Sequence, residues 1–287
     1  MTAGGSLEVL CDVGETTRLG KGLSKNEQLN TYSVRTSIDA LKKFVSLCRE
    51  HGVEEIAVVG TNALRLAQDA DQFIKQVQDE CGIFPRVISE KEEALLSFLS
   101  VQQDPLMPHD AVVMDVGGGS TEFIFYDRED RGHTLQSICL PLGAVSLTEK
   151  FLLHDPPTSD EITKLSKEIE KALSCLPSTM DGVFVGIGGT ATTMGSMHLK
   201  LAIFNRELIH GINLTMDKLV TQVRELQTMG IESRKKIAGL PPDRADIICA
   251  GAMVILASME KMAKTTIHIS CQGLRYGLFY QLCMGTT

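Results

Sequence analysis

MDVGGGSTEF, residues 114–123, sets three consecutive glycines between two apolar stretches, with Asp115 just before them and Ser120, Thr121 and Glu122 just after. The flanks, AVVMDV (111–116) and EFIFY (122–126), read as strands, so the glycines form a tight hairpin. Glycine can adopt φ > 0 and lets backbone N–H groups reach a ligand without interference from Cβ, which makes a concavity suited to phosphate oxygens. Ser120 and Thr121 add hydroxyl donors. Asp115 and Glu122 would repel a bare phosphate, so they point to a divalent cation, most often Mg²⁺, between carboxylate and phosphate. The plainer reading is a hairpin that only turns the chain; two acids flanking three glycines argue against it. A Walker A loop needs GxxxxGK[ST] before a helix, and no such string occurs.

Working outward toward the start of the chain, the Pro-containing break QQDPLMPHD (102–110) separates this strand pair from an earlier α/β stretch. Apolar residues at helical spacing predict a helix over 33–50, followed by a strand in EEIAVVGT (54–61), a helix over 62–81, a strand in RVISE (86–90) and a helix over 91–101. The last of these carries Glu92 and Glu93 in its first turn. An acidic pair on a helix is ordinarily a solvated face; the functional reading makes one carboxylate the acceptor of a proton from water attacking phosphorus.

Toward the end of the chain the pattern predicts a strand over 136–140 and a helix over 159–173 capped by Thr158 or Ser159. A strand, glycine turn and small-residue helix follow in VFVGIGGTATTMGSM (183–197), then a strand over 210–214 and a helix over 216–228. PPDRAD (241–246) opens a long apolar helix, and TTIHIS (265–270) and GLRYGLFYQL (273–282) close the chain as strand and helix. The second glycine turn contains a GxGxxA match at Gly186, Gly188 and Ala191, so a dinucleotide-binding reading competes. That reading wants an acid at the end of a second strand about 20 residues on, and Glu207 falls within NRELIH (205–210), which resembles no such terminus. The same turn can present backbone N–H groups and Thr190 to a second anionic group.

The composition is that of an ordinary globular chain: 287 residues, 43% hydrophobic, 22% charged, 25 Gly, no Trp. A net charge of -8 excludes a surface built throughout for nucleic acid, while leaving room for a local basic cleft; Arg18, Lys21 and Lys25 are candidates for one, or an ordinary exposed loop. The eight cysteines form no CxxC pair and read as reduced thiols of a cytoplasmic protein. The start of the chain lacks the basic and apolar regions of a signal peptide, and the apolar run 247–259 is too short to span a membrane. The histidines show no HxxxH or HExxH spacing, so no zinc site is expected.

Taken in order, TNALRLA (61–67), ISEKEEALLSFLSV (88–101), VMDVGGGSTEF (113–123), PLGAVSLTEKF (141–151), GIGGTATTM (186–194), HGINLTMDKL (210–219), RADIICAGA (244–252) and GLRYGL (273–278) resemble the successive motifs of the Ppx/GppA family, the exopolyphosphatases and guanosine pentaphosphate phosphatases. The resemblance covers about residues 7–282. It implies the actin-like ATPase (sugar kinase/Hsp70) fold: two ribonuclease H-like α/β lobes around a cleft, here 1–105 with the last helix (272–287) returning to it, and 106–271. It implies Glu93 as catalytic base, Asp115 and Glu122 as metal- and water-organising acids, and Gly117, Gly118, Gly119, Ser120 and Thr121 as a phosphate loop. Arg65 matches an arginine that grips the polyphosphate chain, and Gly188, Gly189 and Thr190 match the turn that the wider superfamily uses near a nucleotide.

Two departures stand out. The family opens with a strand and hairpin of the form DxGSNSxRL, the first phosphate loop, and this sequence starts beyond it, so the first lobe lacks its first strands. Truncation is the favoured explanation, because every later motif is retained; a degenerate member is the other. Cys271 and Gln272 also stand where polar or charged residues are usual. The large C-terminal extension of longer members is missing, which makes this the short type. The activity implied is Mg²⁺-assisted release of terminal orthophosphate from inorganic polyphosphate or guanosine pentaphosphate, with a homodimer as the family-level expectation and no nucleic-acid or membrane partner. The alternatives are a phosphotransferase of the same superfamily and a nucleotide, alarmone or polyphosphate binding protein that has lost catalysis.

Overall fold

The computed structural model describes residues 7–23, 27–108, 110–126, 135–178 and 181–284; Lys25 lies outside them. The chain divides into two compact units, Met1–Glu90 with Leu282–Thr287, and Lys91–Gln281. The fold is mixed α/β, of the actin-like ATPase type expected from the resemblance. No described helix is long and apolar enough to cross a membrane.

In the first unit, α1 (Thr31–Glu50) begins behind Asn30, whose side chain accepts from the N–H groups of Tyr32 and Ser33 at 3.0 and 3.2 Å. β1 (Val59–Gly60) pairs in parallel with β2 (Arg86–Val87), a two-residue ladder where the sequence suggested longer strands. The helix predicted over 62–81 is two helices, α2 (Asn62–Leu66) and α3 (Ala70–Cys81). The break has a local cause. Gln68 N–H donates to Glu27 O (2.9 Å) and Asp69 Oδ1 accepts from Leu29 N–H (3.0 Å), so these residues bind the preceding segment instead of continuing the helix. Ile38, Val45, Leu64, Phe73 and Val77 form the core of this unit.

In the second unit, α4 (Glu90–Gln102) leads into β3 (Ala111–Val116), β4 (Thr121–Tyr126) and β5 (Leu135–Leu140), an antiparallel meander. β6 (Val183–Ile187) pairs in parallel with β3, β8 (Thr266–Ile269) in parallel with β6, and β7 (Asn213–Thr215) antiparallel with β8. Among the described residues the resulting six-stranded order is β5-β4-β3-β6-β8-β7. The strand predicted over 210–214 starts later because Gly211 takes a left-handed φ of 84°, which bends the chain before the ladder begins.

The helices of this unit are α5 (Ala144–Phe151), α6 (Ser159–Leu173), α7 (Gly188–His198), α8 (Arg206–Ile209), α9 (Met216–Thr228), α10 (Ile231–Arg234), α11 (Ile248–Lys261) and α12 (Leu274–Met284). Thr158 caps α6 in a capping box with Glu161. Hydrogen bonding to His154 and to the Thr158 and Leu153 amides holds the Glu161 carboxyl down at about 2. PPDRAD does not enter α11 directly: Pro242–Arg244 is a 3₁₀ turn, and the α-helix starts at Ile248.

β3 is buried on both faces over Ala111–Met114, as that apolar run requires. Val112, Met114 and Val116 join the larger core with the apolar helix α11, whereas Ala111 and Val113 pack with Ala94, Phe98 and Val101 of α4. Side chains alternate along a strand, so Asp115 falls on the α4 face with Ala111 and Val113. This parity brings Asp115 toward Glu93.

Candidate functional site

Asp115 lies directly opposite Glu122 and Val116 opposite Thr121 where the β3–β4 ladder ends. Gly117 N–H then closes the turn onto Ser120 O at 2.9 Å. The hairpin glycines do not use left-handed φ, in contrast to the reason expected from sequence. Close approach is what requires them. The N-terminus of α5 abuts the turn: Ala144 N–H donates to Gly117 O (2.9 Å), and Val145 and Ser146 N–H donate to Gly118 O (2.9 and 3.1 Å). A Cβ at Gly143 would stand 2.2 Å from Gly118 O. In a trans peptide the C=O of one residue and the N–H of the next point in opposite directions. With the Gly117 and Gly118 carbonyls turned to α5, the Gly118 and Gly119 N–H groups therefore point away from it, side by side.

The second glycine turn, at the start of α7, meets the same place. Gly188 adopts φ 76°, and a Cβ there would lie 2.2 Å from Asp115 Oδ1. At Gly189 a Cβ would lie 2.2 Å from Nη2 of Arg244, so a guanidinium rests over this turn. Thr190 is buried and its Oγ1 donates to Val116 O at 3.0 Å, tying the second turn to the end of β3. Thr121 is likewise buried and donates to Leu142 O at 2.6 Å. Both threonine hydroxyls are thus bonded to backbone inside the protein rather than presented to a ligand.

Two carboxylates and one guanidinium act on Asp115 here. Part of Asp115 stays accessible to solvent, yet its carboxyl is pushed up to about 7, first by burial, then by the Glu122 and Glu93 carboxylates, with Arg244 pulling in the opposite direction. Glu122 is buried, and its Oε1 accepts from Ser120 Oγ at 2.5 Å and from Cys139 Sγ at 3.4 Å. Among the described residues no three His, Cys, Asp or Glu are grouped to enclose a metal ion. The donor set fits a hard cation taken up by one or two carboxylates, with phosphate oxygens and water completing its shell, which is how Mg²⁺ is commonly held.

Glu93, Asp115, Glu122, the hairpin glycines and the second turn therefore belong to one unit and one neighbourhood. Arg65 belongs to the other unit, where its Nη1 donates to Ile88 O at 3.0 Å. Sequence reasoning missed Arg244; the available signal was an arginine in a proline-started turn just before the apolar helix. It also missed Cys139, whose bond to Glu122 depends on strand register.

The model of the Ppx/GppA phosphatase family matches residues 1–284. A bifunctional 3-dehydroquinate synthase/phosphatase of Fusobacterium nucleatum is 29% identical over 270 residues, 89% of this chain and 39% of that protein. Exopolyphosphatase 2 of Mycobacterium tuberculosis is 30% identical over 248 residues, 83% of this chain and 76% of that one. The chain thus spans well under half of the first of these relatives and about three quarters of the second. Among solved structures, the crystal structure of the Aquifex aeolicus member of the Ppx/GppA family superposes with a TM-score of 0.81 at 30% identity, covering 99% of this chain and 92% of that one.

Proposed function

The chain belongs to the Ppx/GppA phosphatase family, and we propose that it is an exopolyphosphatase-type hydrolase releasing terminal orthophosphate from inorganic polyphosphate, with guanosine pentaphosphate presenting the same phosphoanhydride to the same loop. The observation that carries this reading is the convergence of Glu93, Asp115, Glu122 and Arg244 on two glycine turns. Phosphoryl transfer asks little covalent chemistry of a protein; it asks for positioning and for positive charge or N–H groups at the phosphoryl oxygens. The paired Gly118 and Gly119 amides supply donors, and Arg244 supplies a fixed cation.

In this reading water attacks the terminal phosphorus in line, and its proton passes to a carboxylate oxygen of Glu93. The P–O bond to the next phosphate breaks, and the shortened chain leaves with the bond's electron pair. Glu122, oriented by Ser120 Oγ, keeps its place beside Asp115 throughout. Asp115 and Glu122 would hold Mg²⁺, which would supply charge neutralisation for the phosphate oxygens and relief of the carboxylate repulsion. The role of Arg65 on the polyphosphate chain is carried by the family resemblance alone. A cytoplasmic location, where thiols stay reduced, fits the eight cysteines.

Phosphate release from long-chain polyphosphate with Mg²⁺ tests the proposal. Release without an acceptor supports the hydrolase; dependence on an added hydroxyl acceptor makes the chain a phosphotransferase. Saturable binding without turnover makes it a binding protein.

A further inference from the structure

The register of the sheet extends the carboxylate pair by one strand. Asp115 on β3 is opposed to Glu122 on β4, and Glu122 in turn to Cys139 on β5. Opposed residues project from the same face, so the three side chains form one row across three adjacent strands. Within that row Cys139 Sγ donates to Glu122 Oε1 at 3.4 Å, the oxygen that also accepts from Ser120 Oγ. We infer that Cys139 is a positioning residue of this site, acting through Glu122.

Physical reasons separate this role from packing. Cys139 is exposed, in contrast to buried Cys81, Cys249 and Cys271, so its side chain adds little to the core. A buried carboxylate that lacks donors is free to change rotamer or to close on its neighbour Asp115, where like charge already opposes it. Ser120 restrains Glu122 from within its own turn, two residues away, and that turn must also meet the phosphate. Cys139 restrains it from a separate strand, independent of the loop. The thiol is a weaker donor than a hydroxyl, so its contribution is a graded one.

The inference rests on the hydrolase reading, and its test has one arm that does not. In the full chain with Cys11, Cys175 and Cys283 replaced by serine, iodoacetamide labelling of Cys139 is followed by peptide mass spectrometry. Labelling is expected to run at least about threefold faster in Glu122→Ala, because the acceptor that ties the S–H to the row of side chains is gone. Equal rates overturn the inference whatever the chain hydrolyses. In the kinetic arm, Cys139→Ala is expected to lower kcat by about threefold to tenfold with KM and melting temperature unchanged, and Cys139→Ser, which keeps a donor, to restore most of it. A Cys139→Ala enzyme with unaltered kcat, or a serine variant no better than alanine, overturns the positioning role. Absence of phosphate release by the parent protein overturns the hydrolase reading instead, and is recognised before any variant is compared.

Discussion

Glu93 reaches the site from the first turn of α4 and is close enough to raise the Asp115 carboxyl, which places a third carboxylate beside the paired acids; in the proposed reaction it is the proton acceptor. Replacing it by glutamine keeps the shape and removes only the acceptor. Turnover is expected to fall by about 10²–10⁴ while KM for polyphosphate stays close to that of the parent. Steady-state phosphate release decides this, and an unchanged kcat removes Glu93 from the mechanism. Asp115 supports a second expectation. Its folded-state carboxyl stands at about 7 against an ordinary 3.8, so the folded protein holds a proton that the unfolded chain has already released. Its contribution to stability is full below the unfolded value and is lost as pH rises through about 7. In chelator, the melting temperature of the parent should fall relative to that of Asp115→Asn as pH rises from about 4 to about 7, and level off above that. Added Mg²⁺ should then recover the parent far more than the variant. A parallel pH dependence of the two proteins would show that Asp115 does not carry this charge. Most of these residues were legible because a hairpin makes neighbours in sequence neighbours in space. Arg244 was not, since only the packing of a distant 3₁₀ turn brings it over Gly189.

At the level of elements, the hairpin owes its shape to α5 as much as to its own glycines. The first N–H groups of a helix need acceptors, and those of α5 find them in Gly117 O and Gly118 O, which fixes the direction of the Gly118 and Gly119 amides. The sequence suggested the glycine loop but not the helix that clamps it, because eight residues after a Pro-Leu-Gly run show too little periodicity to read. Two substitutions separate the loop's roles. A Cβ at Gly118 would meet Val145 Cγ2 at 3.4 Å, an ordinary contact on the α5 side of the turn, so Gly118→Val should fold while its branched side chain, crowded against α5, shifts the Gly118 and Gly119 amides from their positions. Affinity for Mg²⁺-tripolyphosphate is expected to drop at least about tenfold, the worth of one good hydrogen bond to an anion. Gly143→Ala places a methyl group 2.2 Å from Gly118 O, so it must displace the loop from α5 and should lower both melting temperature and affinity. Calorimetric titration with thermal melting distinguishes the two; Gly118→Val binding like the parent would reduce the loop to a turn.

For the whole molecule, the sheet of the second unit was readable strand by strand, because continuous apolar runs such as β3 and β6 belong to strands covered on both faces. Its order was not, since β6 reaches β3, and β8 reaches β6, only through long crossovers whose pairing no local pattern encodes. The two-residue ladder of the first unit was overestimated for a related reason: an apolar run signals burial, and hydrogen-bonded length depends on the partner strand. This arrangement makes a prediction that no single substitution can make. The proposed phosphate contacts fall at the ends of β3 and β6, two parallel neighbours joined by the Thr190–Val116 bond, so a ligand held there should stiffen both turns at once. Hydrogen exchange with saturating Mg²⁺-tripolyphosphate is expected to slow in peptides covering 111–123 and 186–195 together, and to change little at β7, at the far end of the sheet order. Protection of 111–123 alone would mean that the second glycine turn only packs against Asp115, and Gly188 and Gly189 would lose their place in the binding site while Gly118 and Gly119 kept theirs.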